Sequence, residues 1–281
     1  MNHPVELLMQ AYLKDIVGHK TKMSSEVIET VVNDIRDALH RQFAGEARQE
    51  FRLRPSNLGR PKCQLWFDKN KPSEASELPS NFVINMFLGD VVEAIFKGIL
   101  RAMKVKFEDN GKIDIDIEGQ NISGEYDLIL NGKVDDVKSA SNWSYKNKFT
   151  NYESLRSNDS FGYIPQLAVY AEGTGAKVGG WWVINKSNGD FKYVSASEMD
   201  RKEVMKNVKD TINYINNDEP FERCFEPEPE TYRNKPSGNL KLPKECHFCK
   251  YKLDCWENIK ELPSKVSQAK EPPMVEYLHV A

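Results

Sequence analysis

The pair Asn131-Gly132, set between ISGEYDLIL and KVDDVKSA, constrains this chain more than any other stretch. A type I′ turn needs positive φ at both central residues, and Asn-Gly supplies it at little steric cost. A two-residue loop sets Leu130 opposite Lys133, Ile129 opposite Val134, Leu128 opposite Asp135 and Asp127 opposite Asp136. Glu125 and Lys138 follow on the same face as the last pair, because side chains alternate along a strand. Opposed carboxylates have Cβ atoms about 4.5–5.5 Å apart, and like charges at that spacing destabilise a sheet. A divalent cation reverses the sign, since hard cations such as Mg²⁺ are held through one or two carboxylates. A solvated acidic hairpin is the plainer account of the same residues. Lys138 lies where it can stabilise developing negative charge. Asp135 points to the other face and is expected to be dispensable for metal binding.

Around this hairpin the pattern alternates between helix and strand. Residues 1–43 read as helical, with Val27, Val31, Ile35, Leu39 and Phe43 at helical spacing and Ser24 or Ser25 as a cap. Residues 44–80 are irregular and Pro-containing. An amphipathic helix follows over 79–105, its stripe formed by Leu88, Val91, Val92, Ile95, Phe96, Ile99 and Met103. Glu93 sits at the stripe's margin, and Gly89, one turn earlier, leaves room for a close approach. KIDIDIE puts Ile113, Ile115 and Ile117 on one face. After a loop over 141–160, FGYIPQLAVYAEG reads as a short helix with Gln166 and Tyr170 on one face at i and i+4. GGWWVINK and DFKYVSA form a second hairpin, and a further helix begins near Ser197 as N-cap, with Glu198 in its first turn.

This order describes an α/β protein with a mixed, mainly antiparallel central sheet flanked by helices. It divides into a helical N-terminal extension (1–53), a core (54–217), a Pro-rich acidic linker with a Cys-cluster module (218–261), and a tail (262–281). The tail has little pattern and reads as loosely ordered or as a docking segment for a protein partner.

With 281 residues, the chain is long enough for one large domain, or one with an appendage. No apolar run approaches the roughly 18–20 residues that span a bilayer, and no secretory signal opens the chain, so a cytoplasmic protein is expected. P-loop, dinucleotide and hydrolase-elbow fingerprints are missing. The net charge of −3 does not advertise nucleic-acid binding. A local basic stripe does, through Arg41, Arg48, Arg52, Arg54, Arg60 and Lys62, although a solvated helix face and loop would look the same.

Five cysteines without an export signal argue against a disulfide framework. Cys246, Cys249 and Cys255 form C-x2-C-x5-C, and Cys63 is the best candidate for a fourth ligand. A three-plus-one arrangement suits a [4Fe–4S] cluster at least as well as zinc. His247 could complete a zinc site instead, awkwardly, and Cys224 reads as a spare free thiol.

Taken in order, SNLGRPKC, GDVVE, GEYD, DVK, QLAVY and the cysteine trio resemble the PD-(D/E)XK nuclease superfamily. The likeness is to its RecB-type members with an iron–sulfur cluster, which include AddB nuclease domains, CRISPR-adaptation nucleases and phage exonucleases. It runs from about residue 54 to 256. The resemblance implies a restriction-endonuclease-like core and metal-dependent cleavage of DNA, with Mg²⁺ or Mn²⁺ bound by Asp127, Asp136 and the Val137 carbonyl. It also implies that Lys138 positions or activates the attacking water, and that Gln166 and Tyr170 lie beside the scissile strand, while Arg52, Arg54, Arg60 and Lys62 contact nucleic acid. Cys63, Cys246, Cys249 and Cys255 would hold a cluster that clips the chain ends together. Many relatives carry histidine where this chain has Glu93; a glutamate there can still ligate metal, with a changed metal preference or a second ion. The expected activity is exonucleolytic, 5′ to 3′ on single strands, in phage or bacterial DNA processing. An endonuclease that trims or nicks DNA and a non-catalytic DNA-binding module are the alternatives.

Overall fold

The computed structural model describes residues 3–44 and 50–281. Its first half contains α1 (Pro4–Val17), α2 (Ser25–Phe43), α3 (Pro55–Leu58), α4 (Lys62–Asn70), α5 (Phe82–Ala102), β1 (Phe107–Glu108), β2 (Gly111–Ile117), β3 (Gln120–Tyr126), β4 (Leu128–Leu130) and β5 (Lys133–Ala140). Its second half contains α6 (Tyr152–Arg156), α7 (Tyr163–Thr174), β6 (Lys177–Asn185), β7 (Phe191–Ser195), α8 (Arg201–Asn216), β8 (Glu228–Tyr232), β9 (Lys235–Lys241), α9 (Lys252–Cys255), β10 (Lys260–Pro263) and β11 (Met274–His279). The fold is mixed α/β, with a mainly antiparallel sheet flanked by helices. The chain falls into two units, one of residues 1–59 and 79–213, the other of 60–78 and 214–281. No helix among the described residues is long and apolar enough to cross a membrane.

The first unit is built on a five-stranded sheet in the order β1-β4-β5-β6-β7. Only β5 and β6 run parallel, joined by a crossover that carries α6 and α7. Asn131 and Gly132 both take positive φ, 53° and 70°, and the register 128–135, 129–134, 130–133 is the one the turn dictates. The ladder stops there. Asp127 lies in a bend outside β4, and β3 turns away to pair with β2 in a separate two-stranded sheet. The expected pairing of Asp127 with Asp136 is therefore absent from the ladder, where Asp136 pairs with Trp181 of β6. Glu125 pairs with Lys112, not with Lys138. A one-residue bend suffices to break a register that depends on strict alternation.

One face of this sheet is covered by α1 and α5, with Val5, Met9, Phe96 and Leu100 packed on Leu128, Leu130, Val137 and Trp182. The helix read as an N-terminal extension is thus part of the core. The stripe on α5 is offset from the expected one: Leu88 and Ile95 are exposed, while Ala94, Phe96, Gly98 and Leu100 are buried. A Cβ on Gly89 would meet nothing, whereas one on Gly98 would stand 2.3 Å from Val31 of α2. Gly98 is the close-approach glycine. Ser24 caps α2 through the amide of Val27, but α8 begins at Arg201, capped by Asp200, whose Oδ1 accepts from the amides of Lys202 and Glu203. Ser197 is not its cap.

The second unit carries a four-stranded antiparallel sheet, β10-β11-β9-β8. Two expectations change here. The supposed linker supplies β8 and β9, and the supposed loose tail supplies β11, an inner strand with Tyr277 buried. Proline obscured the signal: Pro229 lies on β8, an edge strand, where a missing N–H is tolerated. The stretch read as irregular also hides α4, whose buried Cys63, Leu65 and Phe67 recur every second residue and so disguise a helix. Leu242, Cys246 and Trp256 form a small core of their own.

Candidate active site

Because β4 pairs with only the first part of β5, the edge of β5 beyond Asp135 is released from that ladder. Asp127 fills the gap: its Oδ2 accepts from the Val137 amide at 2.7 Å. The N–H and C=O of one strand residue point to the same edge, so the Val137 carbonyl faces Asp127 too. On β5, Asp136 and Lys138 share the face opposite Asp135. Lys138 Nζ donates to Asp136 Oδ1 at 2.7 Å and lies 2.6 Å from Oδ2. Oδ2 itself is buried without a well-aligned hydrogen bond. Lys138 also stands 5.0 Å from the centre of the Tyr163 ring.

From α5, Glu93 joins these carboxylates electrostatically. Burial and the charge of Asp127 push its pKa up to about 7, against the pull of Lys97. Burial and the charge of Asp136 push Asp127 up to about 6. Asp136 is likewise raised by burial, with Glu93 and Asp135 adding repulsion that Lys138 opposes. Burial works against the Lys138 ammonium, but Asp136 and Asp127 outweigh it and raise the pKa. From α7, Tyr170 is buried and its hydroxyl is pushed up to about 12, mainly by burial and partly by Asp136 and Asp127, while a hydrogen bond with Gln166 opposes the shift. All six side chains singled out for catalysis thus belong to one electrostatic cluster. Tyr170 is part of the buried wall of this cluster.

This donor set fits a hard divalent cation. Three carboxylates crowd one another at a cost, one buried carboxylate oxygen has only its ion pair with Lys138 and no aligned hydrogen bond, and a backbone carbonyl faces the gap. No group of three or more His, Cys, Asp or Glu donors is already drawn into metal-binding geometry among the described residues.

One residue nearby escaped the sequence reading, and a second was placed there only by its face. Lys97, with only 4 % of its surface exposed, bridges Glu93 (2.7 Å) and Asp109 (3.1 Å); the i, i+4 spacing to Glu93 was its only signal. Asp135 is buried on the far face and accepts from Gly180 N (2.8 Å), Tyr193 Oη (2.9 Å) and Trp182 Nε1 (3.1 Å). Burial pushes its carboxyl up to about 7. Gly179 makes room for it, since a Cβ there would stand 1.9 Å from Asp135 Oδ1.

The basic stripe is less coherent. Arg41 pairs with Asp90 at 3.2 Å, and Arg52 donates to Ser123 at 2.7 Å. The amide of Arg54 donates to Asn57 Oδ1 as α3 begins. Arg60 and Lys62 belong to the second unit, where Lys62 lies over the Tyr214 ring, and Arg48 falls outside the described residues.

Within the second unit, Cys63, Cys246, Cys249 and Cys255 line one cavity with Phe67 and Trp256. Four thiols around one apolar cavity fit a soft metal or an iron–sulfur cluster. Burial pushes Cys246 up to about 11 and raises Cys249 and Cys255. Cys224 is not remote: its Sγ accepts from the Cys63 amide at 3.1 Å. His247 is engaged by Glu276 at 2.8 Å.

No family model matches the chain, and no curated protein sequence matches it either. Among solved structures it is similar to the chain titled "Crystal structure of SSO0001", at 14% identity and a TM-score of 0.41, over 82% of this chain and 96% of that one. A likeness at that level carries no functional argument.

Proposed function

We propose that this chain is a metal-dependent deoxyribonuclease that hydrolyses phosphodiester bonds, acting mainly as an exonuclease on DNA. The observation that carries the reading is the convergence of Glu93, Asp127, Asp136 and Lys138 at the released edge of β5, with like charges crowded together and one ammonium held protonated. Glu93, Asp127, Asp136 and the Val137 carbonyl would hold Mg²⁺ or Mn²⁺. A bound ion supplies Lewis acidity and a water of lowered pKa for attack at phosphorus. Lys138, with its raised pKa, is a donor rather than a base. Its N–H groups orient the attacking water and offset charge growing on the phosphoryl oxygens. Gln166 and Tyr170 form the wall against which the strand beside the scissile bond rests. In the second unit, Cys63, Cys246, Cys249 and Cys255 would hold a [4Fe–4S] cluster, with Zn²⁺ as the alternative, as a structural clip.

Digestion of end-labelled single- and double-stranded DNA with Mg²⁺ or Mn²⁺ tests the reading. The wild type releases nucleotides, and Asp136→Ala and Lys138→Ala do not. Activity persisting in both variants, or none in the wild type, overturns it. Covalently closed single strands separate the two modes of action: an exonuclease leaves them intact and an endonuclease opens them.

A further inference from the structure

Lys148 ends the π-helix Ser144–Lys148, a rare turn that is frequent at functional sites. It is 6% exposed, and lysine is almost never fully buried unless paired. No hydrogen bond or ion pair among the described residues reaches its Nζ. Its neighbours are aromatic: the ring centres of Tyr163, Phe161 and Phe149 lie 4.4, 4.9 and 5.9 Å away. Burial lowers its pKa, and Lys138 adds to the effect. The opposing charge is Asp159, whose oxygens accept from the amides of Tyr163 (2.9 Å) and Ile164 (2.8 Å). An aromatic cage offsets only part of an ammonium's desolvation cost. The anion acting on it, Asp159, is already engaged by two backbone amides and makes no ion pair with it.

Tyr163 ties this lysine to the candidate active site, because Lys138 stands against the same ring. Two ammoniums on one ring are separated by no more than the sum of their distances to its centre, a span suited to neighbouring phosphates. We propose that Lys148 is a phosphate-binding residue that neutralises the phosphodiester next to the scissile one on the substrate strand. This rests on the nuclease reading above. A phosphate there supplies the direct ion pair at a largely buried ammonium, where charge-assisted hydrogen bonds are strong.

The test uses the full chain and linear single-stranded DNA, either unmodified or with one neutral methylphosphonate linkage beside the scissile bond. Lys148→Met keeps the apolar stem within the cage, and Lys148→Arg keeps the charge. Lys148→Met is expected to bind DNA about tenfold more weakly with a salt slope lower by about one contact, at near-wild-type Tm, and to raise KM more than it lowers kcat. The neutral linkage should weaken binding by the wild type and by Lys148→Arg but leave Lys148→Met unaffected. Wild-type affinity and salt slope in Lys148→Met overturn the proposal, as does a wild type indifferent to the neutral linkage; that second arm decides the matter if Lys148→Met does not fold. If the wild type binds DNA with this Lys148 dependence yet releases no nucleotides, the nuclease reading fails and the phosphate subsite stands.

Discussion

The two faces of β5 hold adjacent aspartates with opposite fates. Asp135 is buried among three donors, each positioned by β6 or β7, and its carboxylate is satisfied where it stands. Asp136, one residue on, meets a lysine and two further carboxylates and keeps an oxygen without an aligned donor. Both carboxyls have raised pKa values, and burial is the leading cause in each case. The pKa direction therefore does not separate a structural acid from a chemical one; the partners do. A carboxylate surrounded by donors holds a fold together, and one crowded by carboxylates leans on a neighbouring cation, here the Lys138 ammonium.

Substitutions on the two faces should sharpen this contrast. The largest effect is expected at Asp136→Ala, with nucleotide release falling by more than about 100-fold while Tm holds or rises as buried repulsion is relieved. End-labelled digestion and a melting scan on the same sample read both quantities. Asp135→Ala should do the reverse, costing about 3 kcal/mol of stability by orphaning buried donors, with metal-dependent activity retained in the protein that stays folded below its lowered Tm. Gly179→Ala should resemble Asp135→Ala, at about 2–3 kcal/mol, because the new Cβ collides with Asp135 Oδ1. If denaturant melts show Gly179→Ala to be neutral, the packing of that face is not as described.

A pH series gives a smaller effect. In metal-free protein, Glu93 at about 7 and Asp127 at about 6 lie above their ordinary values of 4.5 and 3.8. The folded state then binds more protons than the unfolded one across that window, so their contribution to stability is greatest below it and is lost as pH rises through it. Glu93→Gln should flatten the fall in Tm between about pH 5 and pH 8, and Mg²⁺ should flatten it in the wild type. In the second unit, Cys63→Ser should lower bound metal without the loss of nucleotide release expected for Asp136→Ala. Anaerobically purified wild type should absorb in the visible range, and a colourless protein with stoichiometric zinc would replace the iron–sulfur assignment.

Much of the site could be read from local pattern because local rules govern it. Asn131-Gly132 dictates its own turn, and alternation puts Asp135 and Asp136 on opposite faces whatever surrounds them. Ser24 caps α2 because the cap is a contact across three residues. Where distant segments meet, the same reading went astray. It extended the hairpin past Asp127, placed the close approach at Gly89 instead of Gly98, and took β8, β9 and β11 for linker and tail.

By itself the sequence determined the turn, the face on which each carboxylate lies and the spacing of the cysteines, since each follows from backbone geometry over a few residues. Only the tertiary structure decided that Asp127 leaves its ladder to accept from Val137, that Lys97 balances Glu93 and Asp109, and that Lys148 is enclosed by aromatic rings. Those outcomes depend on desolvation and on charges carried by other elements, and neither is set until the chain has packed.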